Sequence, residues 1–404
     1  MKILIVRTFP SIISQTSYNV QEIGMATAYM RAGHDADIVL YGGKEDDHTE
    51  LMPIEWNEDG TASRFVSIYY LRGFNILKNG FFPSLRSIAS GYDLIQVHEY
   101  DQISSWLLYT DKKLKDKVII YHGPYFSEFN KGYNLKCKVF DNIFLRFRHN
   151  RQCPCFTKSN AAAGFLKSKG FDNVTAVGVG LNVSLWSDIE ESSSKGDITA
   201  DSNAFRRIYD YMENGADVVK DKVFTFLYIG KLEPRRNTLF LLDLADALLQ
   251  SHEDIRFLIV GDGEASYKNE CLKRAKKWID AGKIEYIPKV AQKDMPLIYG
   301  RSDCMLFPSR YEIFGMVLME AMYFGVPVIT SNNGGADTIF SNEYNAIVLE
   351  NDFDFNTWIS AAIRMYEDEN LRKKISDNEL NDSEKLSWDE VTKKVLQALQ
   401  PQIG

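Results

Sequence analysis

Short apolar runs alternate with amphipathic and polar stretches along most of the 404-residue chain. In the first half, a helical pattern lies between the first two runs and ends at Gly33, a residue type that favours a left-handed helix stop. Apolar runs of this length, bounded by polar segments, predict the buried strands of a doubly wound parallel sheet. These runs are KILIV, DIVLY, RFVSIYYL, YDLIQVHEY, KVIIYHG and, less clearly, NVTAVGVG.

The second half repeats this alternation. Helical stretches separate four further apolar runs, namely VFTFLYIG, IRFLIVGDG, IEYIP and DCMLFPS. The polar segment 187–221 precedes them, and its composition is typical of a connection between domains. The sequence therefore predicts an α/β protein with one domain at 1–186 and a second at 222–384.

The segment 308–335, PSRYEIFGMVLMEAMYFGVPVITSNNGG, predicts a loop, a buried helix, a strand and a glycine-rich loop. The helix begins near Gly315 and is apolar on nearly every side, so Glu320 in its middle needs a partner. Seven residues separate Glu320 from Glu312 in the preceding loop. The backbone N–H groups of Phe314, Gly315 and Met316 at the helix start could bind an anion. Alternatively, a buried basic residue pairs with Glu320, and Glu312 is solvated.

This segment resembles the donor-site signature of retaining family 4 glycosyltransferases of the GT-B fold. The resemblance rests on two glutamates at this spacing, the sequence EAM in the helix, the sequence PV at the strand, and the Gly-Gly loop. It implies two Rossmann-like domains that face each other across a cleft. It also implies that a terminal helix, here 385–404, crosses back onto the first domain.

The loop YIGKLEPRRN carries the second motif of the resemblance. In the family, a glycine at the strand end is followed by two basic residues that neutralise the donor diphosphate. The matching positions are Gly230, Lys231 and Arg236, with Lys and Arg exchanged relative to the usual order. Arg235 takes the place of Arg236 if the alignment shifts by one residue.

A histidine after a strand is the third candidate. The family often places one beside the donor sugar, and His122 in VIIYHGPY matches it. His98 in LIQVHEY is a second candidate, and an ordinary loop histidine is the alternative for both. The first loop, TFPSIISQTSYN, lacks the family's Gly-Gly pair, so its Ser and Thr hydroxyls would have to approach the phosphates instead.

The resemblance implies a metal-independent hexosyltransferase without a cofactor, whose donor is a nucleotide-diphosphate sugar. Glu312 would hold sugar hydroxyls, Glu320 the ribose, and backbone around Val290 the base. The acceptor would be a saccharide or a lipid-linked saccharide of a surface polysaccharide or glycoconjugate. The alternatives are another GT-B enzyme, such as a nucleotide-sugar epimerase or a phosphorylase, or a catalytically silent binding subunit.

Residues 131–151 combine basic side chains with an apolar stripe at helical spacing, formed by Leu135, Val139, Ile143 and Phe147. Such a helix can lie on an anionic membrane surface. Alternatively, the stripe packs on its own domain. The first interpretation predicts salt-sensitive binding to anionic vesicles that is lost when Lys136, Lys138, Arg146 and Arg148 become Glu.

Composition limits the possible partners and the cellular compartment. The net charge of −8 argues against nucleic acid as a partner. The five cysteines and the absence of a signal-peptide pattern favour reduced thiols in the cytoplasm, with peripheral contact on the inner membrane face if the basic helix binds lipid. Three weaker patterns predict no site: the incomplete dinucleotide fingerprint GDGEAS, the DAD sequence that opens a strand, and the CPC sequence with Cys137.

Overall fold

A computed structural model describes residues 1–13, 20–56, 62–76, 78–183, 186, 223–350 and 352–403. The chain divides into two compact units. The first comprises Met1–Asn182 and Ser387–Gly404, and the second comprises Val183–Leu386. The segment 187–221, predicted as a linker, lies outside the described residues.

The first unit is built on an eight-stranded sheet with the order β10-β9-β8-β7-β1-β2-β4-β3. A two-stranded sheet, β5-β6, accompanies it. The strands are β1 (Lys2–Val6), β2 (Asp35–Gly43), β3 (His48–Trp56), β4 (Ala62–Arg72), β5 (Phe74–Ile76), β6 (Asn79–Phe81), β7 (Leu94–His98), β8 (Val118–His122), β9 (Cys155–Thr157) and β10 (Val174–Ala176).

The second unit is built on a six-stranded parallel sheet with the order β13-β12-β11-β14-β15-β16. Its strands are β11 (Phe224–Ile229), β12 (Ile255–Val260), β13 (Ile284–Ile287), β14 (Cys304–Phe307), β15 (Val328–Ser331) and β16 (Ile347–Leu349). The four central strands are buried almost throughout, as expected of a sheet that is covered on both faces.

Helices connect the strands of both sheets. The first unit contains α1 (Gln21–Arg31), α2 (Leu85–Ala89), α3 (Ile103–Tyr109), α4 (Lys131–Phe140), α5 (Asn160–Ser168) and the terminal α13 (Trp388–Ile403). The second contains α6 (Thr238–Ser251), α7 (Ala265–Asp280), α8 (Met295–Gly300), α9 (Met316–Tyr323), α10 (Ala336–Ile339), α11 (Phe355–Glu367) and α12 (Glu369–Ser383). Short turns at Pro234–Arg236 (3₁₀) and Asp141–Leu145 (π-helical) also bear on the argument below.

Most predicted elements are confirmed. Helix α9 begins directly after Gly315, whose φ is 83°, and ends before Gly325, whose φ is 61°. Both glycines have left-handed backbone, as expected of a helix start and stop that no side chain with a Cβ fits easily. The predicted strand NVTAVGVG is shorter than expected, because only Val174–Ala176 pairs in the sheet.

The first sheet is not wholly parallel, contrary to the prediction. Strand β3 was not predicted, and it pairs antiparallel with β4 at the edge of the sheet. It carries Pro53 and charged side chains, which are tolerated at an edge and make a weak pattern. The described residues contain no helix that is both long and apolar enough to cross a membrane.

Candidate functional site

The topology of the second sheet marks one position for a ligand. From β11 the chain proceeds through β12 and β13 on one side of the sheet, and β14, β15 and β16 lie on the other. Ligands of open α/β sheets bind outside the carboxyl ends of the strands at such a switch point. The loop after β11 leads to Arg236, and the loop after β14 leads to Gly315. Two predicted motifs therefore start at the same edge of the sheet.

Arg236 and Glu312 are the two candidate residues that the structure brings into direct contact. An Arg236 Nη1 atom forms an ion pair with Oε2 of Glu312, and it also lies 3.4 Å from Oγ of Ser309. Both side chains are largely buried, with 15% and 9% of their surface exposed. Burial and the nearby Arg235 lower the pKa of the Arg236 guanidinium. The alternative of a solvated Glu312 is therefore wrong.

The two other basic residues of this loop lie differently. Arg235 donates to Glu233 over 2.6 Å, and its guanidinium lies 6.0 Å from the ring centre of Tyr311. Lys231 is exposed, and its carbonyl accepts a hydrogen bond from Tyr228. The structure thus places Arg236, rather than Arg235, against Glu312, and leaves the Lys231 ammonium on the surface of the same loop.

Close packing of backbone explains the glycines of the GDGEAS sequence. A Cβ on Gly261 would lie 1.9 Å from the carbonyl oxygen of Gly230, and one on Gly263 would lie 2.1 Å from that of Leu232. The loop after β12 therefore supports the backbone of the Lys231 loop. The interpretation of this sequence as a turn at a strand end is confirmed, and its glycines have a packing role.

A polar network holds the start of α9. Oδ1 of Asn333 accepts the backbone N–H groups of Gly335 and Ala336, and its Nδ2 donates to the carbonyl of Ser309. A Cβ on Gly335 would lie 1.9 Å from the Phe314 carbonyl oxygen. The glycine-rich loop after β15 therefore packs directly on the backbone that precedes α9, where Phe314 is buried and Met316 is half-buried.

Glu320 is completely buried in α9, one turn beyond these N–H groups. Its Oε2 accepts a hydrogen bond of 2.9 Å from the hydroxyl of Tyr299, a residue of α8 that also donates to the Val317 carbonyl. The partner at this oxygen is therefore a tyrosine hydroxyl, and not the buried basic residue of the alternative interpretation. Val290 lies on the loop after β13, half-buried against the core of the unit.

His122 lies in the first unit, at the end of β8, and its side chain has no exposed surface. Its Nδ1 is 2.5 Å from Oε2 of Glu99, and its ring stacks on Phe165 with centroids 5.7 Å apart. Glu99 also accepts the backbone N–H of Gly123, and its Oε1 lies 3.7 Å from the Lys158 ammonium. Burial opposes ionisation, but His122 and Lys158 lower the pKa of Glu99 to about 2.

Sequence reasoning missed Glu99. It directly follows β7 and has a φ of 66°, a left-handed conformation that is unfavourable for a residue with a Cβ. Its position at a strand end, beside the candidate His98, was the available signal. Because 17% of its side chain is exposed, Glu99 reaches the surface, whereas His122 does not.

His98, the second histidine candidate, contacts a buried ion pair within the first unit. Nδ1 of His98 lies 2.9 Å from the buried Glu22, which also pairs with Arg7 at 3.1 Å. Burial opposes ionisation of Glu22, but His98 and Arg7 still lower its pKa below the usual value. In the first loop, the Thr8 hydroxyl donates to the His98 carbonyl, so it is engaged within the unit. The hydroxyls of 14–19 lie outside the described residues.

Glu99, Asp101 and His122 come close enough together to offer three ligand atoms to a metal ion. Two ammonium groups oppose such an ion, since Lys158 lies near Glu99 and Lys136 lies 2.8 Å from Asp101. We therefore interpret this group as a buried charge network.

The two other weak patterns of the sequence also have structural environments. In the DAD sequence, Asp37 accepts hydrogen bonds from the Ser67 backbone and the Tyr92 hydroxyl. All five cysteines are free and buried.

The sequence of residues 214–382 matches the family described as glycosyl transferases group 1. O-antigen chain mannosyltransferase B of Escherichia coli is 30% identical over 174 residues, 43% of this chain and 44% of that protein. The E. coli UDP-Gal:alpha-D-GlcNAc-diphosphoundecaprenol alpha-1,3-galactosyltransferase is 29% identical over 162 residues, 38% of this chain and 39% of that protein. The chain thus spans less than half the length of these two relatives.

Solved structures resemble the chain over nearly its whole length. HepE of Anabaena in complex with UDP and glucose has a TM-score of 0.65 at 15% identity, over 99% of each chain. The apo form of the lipopolysaccharide outer core galactosyltransferase WaaB has a TM-score of 0.62 at 14% identity, over 100% of each chain. These likenesses concern the fold, and they confirm the predicted GT-B class of two Rossmann-like domains. Residues 214–382 therefore resemble the glycosyl transferases group 1 family, in a chain that has the GT-B fold.

Proposed function

We propose that the protein is a retaining, metal-independent glycosyltransferase that takes a sugar from a nucleotide-diphosphate sugar. The observation that carries this proposal is the contact between Arg236 and Glu312 at the switch point of the second sheet. A cation and a carboxylate suit the two parts of such a donor, because the diphosphate is anionic and the sugar offers hydroxyl donors.

The donor would bind along the carboxyl edge of the second sheet. Arg236 and the exposed Lys231 would neutralise the diphosphate, together with the free N–H groups at the start of α9. Glu312 would accept hydrogen bonds from sugar hydroxyls, and Glu320 would do so from the ribose. Backbone near Val290 would contact the base. Glu320 must then exchange or share its bond to Tyr299, since that hydroxyl lies 2.9 Å away.

Departure of the nucleoside diphosphate places negative charge on the leaving oxygen. Fixed positive groups that surround that oxygen lower the barrier, since they are aligned before the bond breaks. Arg236 is held in this way by Ser309 and Glu312. In a same-face reaction the donor phosphate would accept the proton of the acceptor hydroxyl, so no side chain need form a covalent bond to the sugar. His122 would support the reaction from the first unit, through Glu99.

The acceptor that we propose is a saccharide, free or lipid-linked, of a surface polysaccharide. Two relatives support this class by their names, one an O-antigen chain mannosyltransferase and one a galactosyltransferase acting on a diphosphoundecaprenol-linked sugar. A lipid-linked acceptor would suit a cytoplasmic protein that contacts the inner membrane face through residues 131–151.

A binding screen followed by a transfer assay tests the proposal. Nucleoside diphosphates and their sugars would be screened by thermal shift, since a ligand of the folded state raises the melting temperature. The preferred radiolabelled donor would then be incubated with membranes from a native host strain that lacks the gene. We expect label in glycan or glycolipid, and at least a hundredfold less with Glu312→Ala or Lys231→Ala.

The controls separate the other classes. Lys273→Ala changes an exposed lysine of α7 and should leave transfer unchanged. A changed sugar recovered on the nucleotide would indicate an epimerase, and release of sugar phosphate in the presence of inorganic phosphate would indicate a phosphorylase. Donor binding without any turnover in native membranes would indicate a silent binding subunit. Failure of every nucleotide to bind would refute the proposal.

A further inference from the structure

One face of the helix at residues 131–151 is apolar and exposed. Leu135, Val139, Ile143 and Phe147 follow one another along α4, the π-helical turn and the turn after it. Their exposed fractions are 65%, 49%, 58% and 82%. We call these four residues the apolar stripe. Its length along the helix is about 18 Å at the usual rise per residue.

The opposite side of the same helix anchors it to the first unit. Cys137, Phe140 and Leu145 are buried in the core of that unit. Phe144 packs edge-on against Trp106, with ring centroids 5.1 Å apart. The alternative in which the stripe packs on its own domain is therefore wrong. The fold does not require the stripe, so substitutions there should leave the unit folded.

Basic side chains border the stripe. Residues 131–151 contain six basic residues and one acidic residue, Asp141, in a chain of net charge −8. Asp141 is neutralised by Lys169, at 2.6 Å. Lys136 pairs with the buried Asp101, so it does not belong to the exposed set, contrary to the sequence interpretation. The exposed basic residues are Lys131, Lys138, Arg146, Arg148 and Arg151.

We propose that this face binds the surface of an anionic lipid bilayer. An apolar stripe enters the boundary between headgroups and acyl chains, while flanking lysines and arginines remain at the level of the lipid phosphates. The positive charge is local, because the chain as a whole is acidic. The proposal goes beyond sugar transfer and does not depend on it, since it concerns only the surface of the first unit.

Vesicle co-sedimentation of the full chain tests the proposal. The probes are phosphatidylcholine vesicles with and without about one third phosphatidylglycerol, at low and high salt. We expect binding only to the anionic vesicles, and its loss at high salt, because screening weakens surface attraction. Each basic residue should contribute about fivefold to the partition coefficient. The triple variant Lys138→Glu, Arg146→Glu, Arg148→Glu should therefore lose more than a hundredfold.

Matched variants exclude general effects of charge and polarity. Lys112→Glu, Lys113→Glu and Lys115→Glu together change three exposed lysines of the same unit, and this variant should bind vesicles like the wild type. Phe147→Ser should weaken binding several-fold, whereas Leu51→Ser, at another exposed apolar site of the same unit, should not.

Three results would overturn the proposal. The first is absence of binding to anionic vesicles at low salt by a protein with a normal melting temperature. The second is an equal loss of vesicle binding in the two triple variants. The third is a concentration-dependent dimer, seen by light scattering and abolished by Leu135→Ser, since it would assign the stripe to a second copy of the chain. Nucleoside diphosphate binding by all variants would show separately whether the donor site is intact.

Discussion

Arg236 and Glu312 form an ion pair that joins the loops after two adjacent strands, β11 and β14. Both side chains are mostly buried, so the ion pair compensates charges that burial would otherwise destabilise. Arg236 also lies 3.6 Å from Glu233, and a diphosphate that binds here would give it a further anionic partner while Glu312 accepts sugar hydroxyls. The pair should therefore behave as one unit in both stability and catalysis.

Arg236→Ala should reduce kcat/KM for transfer at least a hundredfold, because it removes the charge that we propose to face the diphosphate. It should also lower the free energy of unfolding by about 3–5 kcal/mol, since it leaves Glu312 buried without its cation. The double variant with Glu312→Ala should cost less stability than the two single variants added together. Urea denaturation and steady-state kinetics measure both effects. Additive losses would contradict the coupling.

The roles proposed for Glu320 and Arg236 can be separated with two small ligands. We take UDP as the example of the nucleoside diphosphates in the screen, because it carries a ribose and pyrophosphate does not. Glu320→Ala should raise the Kd of UDP about 10- to 100-fold, the usual worth of a hydrogen bond to a charged group, and leave pyrophosphate binding unchanged. Arg236→Ala should weaken both ligands. Calorimetry measures all four constants, and an equal effect of Glu320→Ala on both ligands would make Glu320 a structural residue.

Tyr299→Phe is the matched control for Glu320. It removes the hydroxyl that donates to Glu320 and to the Val317 carbonyl, and it keeps the ring that stacks on Phe324. We expect a loss of about 1 kcal/mol in stability. UDP affinity should fall by less than with Glu320→Ala, because the carboxylate that we propose as the ribose ligand remains.

The sequence predicted most of the long buried parallel strands of both units, because such strands are continuous apolar runs, but it did not predict the edge strand β3. It also selected Arg236 and Glu312 as candidates, since each lies in a motif at a strand end. It did not predict that they pair, nor that Glu99 meets His122, since these contacts join different loops and depend on the order of strands in the sheets. The family resemblance suggested a role for each residue, and the order of strands in the sheets brings the residues into contact.

The helix at 131–151 shows what helical periodicity alone does not predict. Its sequence has apolar residues on two sides, one containing Phe140 and the other containing Phe147. Helical periodicity identifies both sides, but it cannot say which one meets a core that is built by residues distant in the chain. The structure answers that question through burial, with Phe140 3% exposed and Phe147 82% exposed.

Gly335→Ala tests the packing beneath the start of α9. The new Cβ would lie 1.9 Å from the Phe314 carbonyl oxygen, so the backbone must move. We expect a loss of about 1–3 kcal/mol in stability, together with weaker UDP binding. Gly164→Ala is the control, because its Cβ would meet nothing within 4 Å and it lies within α5. That change should stabilise by about 0.5–1 kcal/mol. Equal effects of the two changes, measured by urea denaturation, would contradict this account.

Glu379 should make stability depend on pH. It is fully buried in α12, and burial raises its pKa well above the usual value, although a backbone hydrogen bond from Val328 lowers it in part. The folded state therefore keeps a proton that the unfolded state loses above about pH 4.5. This contribution is complete below that pH, and it falls by about 1.4 kcal/mol per pH unit above it until the folded pKa is reached.

Glu379→Gln removes this titration, so its stability relative to the wild type should rise between pH 5 and pH 8. Urea denaturation at both pH values measures the difference. Glu343→Gln is the control. The Glu343 pKa is lowered from 4.5 by a side-chain hydrogen bond from Arg364, so this group titrates at lower pH and the relative stability of that variant should stay flat between pH 5 and pH 8. A flat difference for Glu379→Gln would mean that Glu379 is ionised in the folded protein.

Glu99 should be necessary for transfer but not for donor binding. Its left-handed backbone costs about 1–3 kcal/mol, and the structure maintains it with a carboxylate held by His122, Lys158 and the Gly123 N–H. Glu99→Gln keeps the shape of the side chain and removes its charge, so the nearby Lys158 ammonium loses its anionic neighbour. We expect at least a tenfold loss of sugar transfer to native membranes, with partial recovery in Glu99→Asp. UDP affinity should stay within about twofold, because the residues that we propose to bind it lie in the second unit.

Two comparisons decide whether Glu99 acts on the reaction or only on the fold. Glu99→Gly relieves the backbone strain and removes the carboxylate, so a purely structural role predicts activity in proportion to its melting temperature. A functional role predicts loss of transfer even where the melting temperature is kept. His122→Asn should then reduce transfer in the same direction, and by no more than Glu99→Gln, because it acts through the carboxylate. Transfer at the wild-type rate by a folded Glu99→Gln protein would refute the role.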